Sequence, residues 1–141
     1  MYRKILVGFD GSRGAQEALR HAIAVAQAFG AELWTLSVIE IPQLATATVG
    51  EVDEQRRLIE QEFKTLQERA QQLAREAGMT VQTITRVGHP AQLLVQEAQR
   101  GGFDLLVIGH SGHSGIWGVF LGTTADKVVR HAPCTVLVAR W

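Results

Sequence analysis

The chain has 141 residues, 46% of them hydrophobic, which is enough for one compact domain over residues 1–141 with a real core. Lys plus Arg and Asp plus Glu both number 14, so the formal net charge is zero and a general nucleic-acid or membrane-surface role is disfavoured. The single cysteine, Cys134, excludes an intramolecular disulfide, and the first apolar run is too short for a signal peptide or a membrane span. We therefore expect a soluble, cytoplasmic protein.

Short apolar runs alternate with longer helical patterns, and this alternation predicts an α/β fold with a parallel sheet. In chain order, the sequence predicts a strand at 5–9, a helix from 11–12 to a C-cap at Gly30, and a strand at 31–39. A loop through 45–50, a helix over 52–77 and a strand at 80–87 follow. The last predicted elements are a helix that Pro90 opens and that runs through 91–99, a strand at 103–108, a helix over 124–131 and a strand at 134–139.

A glycine-rich loop, residues 109–123, links the fourth predicted strand to the last helix. The strand is continuously apolar after Asp104, as expected of a central parallel strand that is covered on both faces. Glycines let the backbone turn freely and let a ligand approach without a Cβ in the way. Successive backbone N–H groups in such a loop, followed by those of the helix start, form an anion site, so the sequence predicts phosphate binding here.

Four segments of the sequence resemble the universal stress protein family, and the resemblance spans the whole chain. They are ILVGFDGS at 5–12, GHPA at 88–91, DLLVIG at 104–109 and VVRHAPC at 128–134. The nucleotide signature of that family is a glycine, two residues, a glycine, nine residues, and then a glycine with a hydroxyl residue. Gly109, Gly112, Gly122 and Thr123 have this spacing.

The resemblance implies the ATP-binding branch of the family, with a three-layer α/β/α fold and an open, doubly wound, five-stranded parallel sheet in the order 3-2-1-4-5. It also implies that Asp10, at the end of the first strand, accepts hydrogen bonds from the ribose or the base edge of the nucleotide. The alternative for Asp10 is that it caps the first helix. Val38 matches the position whose backbone meets adenine, although its side chain also fits a plain strand core.

The phosphates are expected to lie against Gly109, Gly112 and Gly122, with hydroxyl donors from Thr123 and from Ser111 or Ser114. Thr124 is also predicted to bind the nucleotide. ATP, or ADP or AMP, is the expected ligand, and a divalent cation such as Mg²⁺ could bridge its phosphate oxygens. The sequence offers no dedicated metal ligands and lacks the lysine of a Walker A loop, so it is not a P-loop NTPase.

Two histidines, His110 and His113, stand where many relatives with this signature have basic residues. Because imidazole is only partly protonated near neutral pH, one hypothesis is that one of them contacts phosphate and that binding tightens on acidification. A His-x-x-His pair is also compatible with zinc, but no cysteine or third ligand lies near it in the sequence.

The last predicted strand has no element after it to cover its edge, and an exposed apolar edge favours pairing with a second chain. The resemblance likewise implies a homodimer through this strand. The alternative is that Arg140 and Trp141 protect the edge from pairing. Trp117, Val119 and Phe120 are too apolar for a solvated loop and are expected to pack, either on the last helix or on a partner chain.

Together these features predict an ATP-binding stress-response or signalling module that hydrolyses ATP slowly or not at all and is read by an unidentified protein partner. No pair of residues resembles a tuned catalytic pair. Two alternatives remain open, an ATP-hydrolysing or nucleotidyl-transferring enzyme of the same fold, and a ligand-free structural dimer.

Overall fold

The computed structural model describes residues 1–40, 48–110 and 123–141. All five strands are parallel and lie in the order β3-β2-β1-β4-β5, which confirms the predicted sheet and, with helices on both faces, the three-layer α/β/α fold. The strands are β1 (Lys4–Gly8), β2 (Glu32–Ile39), β3 (Gln82–Val87), β4 (Leu105–Gly109) and β5 (Thr135–Ala139). The helices are α1 (Arg13–Phe29), α2 (Val49–Glu76), α3 (Pro90–Arg100) and α4 (Thr123–His131).

The central strands β1 and β4 are buried on both faces of the sheet, which explains why their sequences are continuously apolar. Side chains alternate between two hydrophobic clusters, so that Ile5 and Val7 face α1 and α2 while Leu6 faces α3 and α4. All three are fully buried. The sheet is therefore the middle layer of the described structure, and its central strands β1 and β4 are covered on both faces.

Helix α1 begins and ends where its sequence predicts. The Ser12 hydroxyl oxygen accepts a hydrogen bond from the backbone N–H of Ala15 at 3.2 Å, so Ser12 is the N-cap. Gly30 adopts a left-handed conformation, with φ of 67°, and ends the helix. The Ser12 cap therefore places the start of α1 immediately after the carboxyl end of β1.

Helix α2 begins three residues earlier than predicted, at Val49 instead of residue 52. The sequence placed 45–50 in a loop because the residues there are small and include Gly50. The Thr48 hydroxyl instead accepts a hydrogen bond from the Glu51 backbone N–H at 3.1 Å, and this cap extends the helix by one turn. Residues 41–47, which include Pro42, lie outside the described part of the chain.

At the amino ends of the strands, one carboxylate joins two neighbouring segments of the chain. The Asp104 side chain accepts hydrogen bonds from the backbone N–H groups of Arg3, at 2.9 Å, and Lys4, at 3.2 Å. The Lys4 ammonium donates to the Gly101 carbonyl at 2.6 Å and lies 4.6 Å from the centre of the Phe103 ring. These contacts join the start of β1 to the turn before β4.

Within the described ranges, no helix is long and apolar enough to cross a bilayer.

Candidate functional site

A cavity of about 550 Å³ lies at the carboxyl ends of the strands. The chain leaves β1 towards β2 on one side, whereas β4 flanks β1 on the other, so the cavity sits at the point where the winding of the sheet reverses. Open α/β sheets bind ligands at this place, and the volume is in the range of small-molecule sites. The described residues that line it are Gly8, Phe9, Asp10, Ser12, Arg13, Gly14, Ala15, Leu36, Val38, Pro90, Leu94, Ile108, Gly109, His110, Thr123, Thr124, Ala125 and Trp141.

Five of the eight predicted nucleotide-binding residues line this one cavity. They come from four different elements or their ends, and the topology of the sheet brings them together although they are far apart in the sequence. The five are Asp10, Val38, Gly109, Thr123 and Thr124. The other three, Gly112, His113 and Gly122, lie outside the described residues, as do Trp117, Val119 and Phe120.

Asp10 both supports the start of α1 and borders the cavity. One oxygen of its carboxylate, Oδ1, accepts a hydrogen bond from the backbone N–H of Ser12 at 3.0 Å. The capping interaction proper belongs to Ser12. The two roles considered for Asp10 are therefore compatible, because a carboxylate has a second oxygen and the Asp10 side chain is exposed.

One part of the cavity is apolar. Leu36 and Val38 belong to β2, Leu94 to α3 and Ile108 to β4, and all four pack in the cluster between the sheet and the α3 and α4 layer. Pro90, at the start of α3, adds a rigid apolar ring to the same lining. This part matches a flat, weakly polar group such as a heterocyclic base.

The cavity is bounded on another side by a close approach between β4 and α1. A Cβ atom built at Gly109 would overlap the backbone of Gly14, and one at Gly14 would lie 2.8 Å from the carbonyl oxygen of His110. Only glycine at both positions permits this approach. The backbone N–H of His110 donates to the Ala139 carbonyl at 2.8 Å, which joins the end of β4 to the end of β5.

The polar part of the lining comes from the starts of α1 and α4. Thr123 and Thr124 are the first two residues of α4, so their hydroxyls and the backbone N–H groups of this turn lie beside the cavity. Because backbone N–H groups at a helix start are partly positive, this part of the cavity suits an anion. His110 follows β4 and is buried, with an exposed fraction of 6%.

Sequence reasoning missed several lining residues, above all Arg13 and Trp141. Arg13 could have been found, because it directly follows the predicted start of the first helix at the carboxyl end of the first strand. Trp141 lies beyond the last predicted strand, and no local pattern places its ring beside α1. Trp141 follows β5, and the position of β5 beside β4 in the sheet decides whether its ring can reach α1.

The fold and the cavity together define a doubly wound α/β domain with a small-molecule pocket at its switch point. Sequence comparison makes the class specific. The Universal stress protein family matches the chain over residues 1–140, and the chain belongs to this family. A universal stress protein of Thermus aquaticus, named for its position in the QAH/OAS sulfhydrylase 3′ region, is 35% identical over 147 residues, which cover 99% of this chain and 100% of that protein.

Solved structures show the same fold. Universal stress protein UspA from Lactobacillus plantarum is 30% identical and superposes with a TM-score of 0.82, covering 99% of this chain and 98% of that one. A universal stress protein whose crystal structure was determined in complex with cAMP is also 30% identical, with a TM-score of 0.70 and coverage of 98% and 97%.

Proposed function

We propose that this protein binds an adenine nucleotide in the cavity at the carboxyl ends of its strands and acts as a nucleotide-dependent stress-response or signalling module. The observation that carries the proposal is that Asp10, Val38, Gly109, Thr123 and Thr124 line one cavity. The relative that holds cAMP supports it, because that protein is 30% identical over almost the whole chain.

In the proposed complex, the base lies in the apolar part of the cavity, where the backbone of Val38 meets the adenine edge. Asp10 accepts hydrogen bonds from the ribose hydroxyls through the oxygen that does not contact Ser12. The phosphates lie against Thr123 and Thr124 at the start of α4. The remaining residues proposed for the phosphate contacts are Gly109, Gly112, His113 and Gly122.

We propose ATP as the nucleotide, held with slow or no hydrolysis. Asp10 is the one acidic side chain among the described lining residues, and the described ranges contain no cluster of three or more metal-ligating side chains. A bound Mg²⁺ would therefore be held largely by the phosphate oxygens themselves. Asp10 would stand at the ribose, away from the γ-phosphate, so it does not activate an attacking water in this arrangement.

Two measurements test this proposal. Mass spectrometry of the small molecules released from freshly purified, denatured protein should detect an adenine nucleotide. Millimolar ATP should also raise the melting temperature, because a ligand that binds only the folded state stabilises it. If neither is observed, the result supports the alternative of a ligand-free structural dimer. A steady release of ADP at about 1 s⁻¹ or faster would instead favour an enzyme.

Asp10→Asn tests the ribose contact. Asn retains an oxygen that can accept from the Ser12 N–H, so the start of α1 and the melting temperature should not change. The loss of a hydrogen bond to a charged group should weaken adenosine binding by about tenfold, measured by titration calorimetry. Asp126→Asn is the matched control, because Asp126 belongs to α4 but does not line the cavity. Equal adenosine affinities in wild type and Asp10→Asn would remove Asp10 from the site.

We also propose that the chain works in the cytoplasm as one domain and as a homodimer through β5. Within the described residues, β5 pairs with β4 alone, and its middle residues Val136, Leu137 and Val138 are only partly buried. A second copy would cover them and the open edge. Sedimentation analysis should give twice the 15.5 kDa chain mass, and a monomer at micromolar concentration would contradict the homodimer.

A further inference from the structure

Arg13 is the one lysine or arginine among the described residues that line the cavity. It is the first residue of α1 and directly follows the N-cap Ser12, so the backbone from which its side chain extends is fixed by the cap. The only acidic side chain in the same described lining, Asp10, uses one oxygen for the Ser12 backbone N–H. The charge of Arg13 is therefore the main positive charge that the described lining offers to an anion.

The Arg13 guanidinium lies over the ring of Trp141. Its central carbon, Cζ, lies 5.6 Å from the centre of that ring, within the range of a cation–π contact. The ring itself lies against Gly14, because a Cβ atom built there would be 3.0 Å from its Cζ3 atom. The absence of a side chain at Gly14 thus leaves room for Trp141, and Trp141 in turn limits where the guanidinium can go.

Across the described ranges, no carboxylate forms an ion pair with Arg13. By contrast Arg20, about two turns further along α1, is paired with Glu17 at 3.1 Å. A guanidinium that makes a cation–π contact with an aromatic ring keeps N–H groups that do not face the ring, and its fork matches two phosphate oxygens. The contact with Trp141 at 5.6 Å is therefore compatible with phosphate binding by Arg13.

We propose that Arg13 is the phosphate-binding cation of this cavity and that Trp141 is a positioning residue that holds the guanidinium at the cavity wall. This inference rests on the proposed nucleotide-binding function and makes it more specific. It states that the site selects phosphorylated adenosines over adenosine, and that Arg13 provides part of the selection.

The test compares the dissociation constants of adenosine, AMP and ATP by titration calorimetry at one ionic strength. Arg13→Gln should weaken AMP and ATP binding by roughly three- to tenfold, as expected for the loss of a charged hydrogen bond that is partly screened by solvent, and should leave adenosine binding unchanged. Arg13→Lys should lie between Gln and wild type, because it keeps the charge but loses the fork. Arg140→Gln is the matched control, since Arg140 is exposed and does not line the cavity.

Trp141 is tested by rescue and by non-additivity. Trp141→Ala should reduce AMP affinity without changing adenosine affinity, and Trp141→Phe should restore most of it because a ring remains for the guanidinium. In the double variant Arg13→Gln with Trp141→Ala, AMP should bind no more weakly than in Arg13→Gln alone, since Trp141 acts through Arg13.

Three outcomes would overturn the assignment. If Arg13→Gln binds AMP as tightly as wild type does, Arg13 does not contact phosphate. If adenosine affinity falls together with AMP affinity, the two residues shape the cavity and do not select phosphate. If wild-type protein binds none of the three ligands, the proposed function itself fails, and this result is distinct from the first two because it appears before any substitution is made.

Discussion

The two ends of the sheet are built differently. At the amino end, the Asp104 carboxylate and the Lys4 ammonium join neighbouring segments through hydrogen bonds. At the carboxyl end, the first turns of α1, α3 and α4 surround a cavity of about 550 Å³. The Asp104 carboxylate and the Lys4 ammonium are bonded within the chain, whereas Arg13 at the cavity forms no ion pair with any described side chain. Stability and ligand binding should therefore respond to different substitutions.

Gly109→Ala should have the largest effect on stability. It should also change ligand binding, so at this position the two properties are not separate. The new Cβ would overlap the backbone of Gly14, so α1 must move away from β4, and we expect a loss of about 2–3 kcal/mol in the free energy of unfolding. Because the same contact bounds the cavity, AMP affinity should fall as well. Urea denaturation and calorimetric titration measure the two effects.

Gly50→Ala is the control for Gly109→Ala. Gly50 lies in the first turn of α2, and a Cβ there meets nothing closer than the Thr48 hydroxyl oxygen at 4.0 Å. Alanine should leave stability unchanged or raise it slightly. If Gly109→Ala were as stable as Gly50→Ala, the approach of β4 to α1 would not be tight.

Asp104→Asn should lower stability without affecting the cavity. Asparagine can accept at only one of the two side-chain positions that receive the Arg3 and Lys4 N–H groups, so we expect a loss of about 1–2 kcal/mol. AMP affinity should stay at the wild-type value. The control Asp126→Asn removes an exposed pair with Arg130 and should cost less than about 0.5 kcal/mol. A parallel fall in AMP affinity would show that the two ends are coupled.

The rate of Cys134 alkylation should show the smallest effect. Cys134 lies just before β5, so this rate reports on the amino ends of the strands. Burial, and secondly the negative charge of Asp104, raise the pKa of its thiol, so less thiolate is present at neutral pH than for a free cysteine. Alkylation by iodoacetamide at pH 7–8 should be slower than for free cysteine and should accelerate as the pH rises. Asp104→Asn lowers the thiol pKa and should accelerate it as well, while saturating AMP should not. Protection by AMP would contradict the separation of the two ends.

Most of the fold could be predicted from local sequence because its signals are local. The buried parts of β1 and β4, residues 5–7 and 105–108, are apolar at every position since both faces are covered, and Ser12 and Gly30 have the residue types that helix ends require. The start of α2 was placed incorrectly because Gly50 argues against a helix, while the capping hydroxyl of Thr48 favours one more strongly.

The candidate site was predictable only in part. Asp10 and Gly109 follow strands, and parallel strands place such residues at one edge of the sheet. The contact between Arg13 and Trp141 depends on where β5 lies relative to α1, which no local pattern encodes. The closure by Asp104 likewise joins backbone groups about a hundred residues away in the chain.

The position of β1 in the middle of the sheet has a consequence for biosynthesis. Ile5 pairs on one side with Leu33 and on the other with Leu105. During synthesis, the second neighbour of β1 is therefore absent until about a hundred further residues have been made. Until then one side of β1 has unpaired backbone groups and invites pairing with other nascent chains. Strand β4 is therefore needed before β1 is paired on both sides, and the earliest strand in the sequence stays half-paired until residues 105–107 have been made.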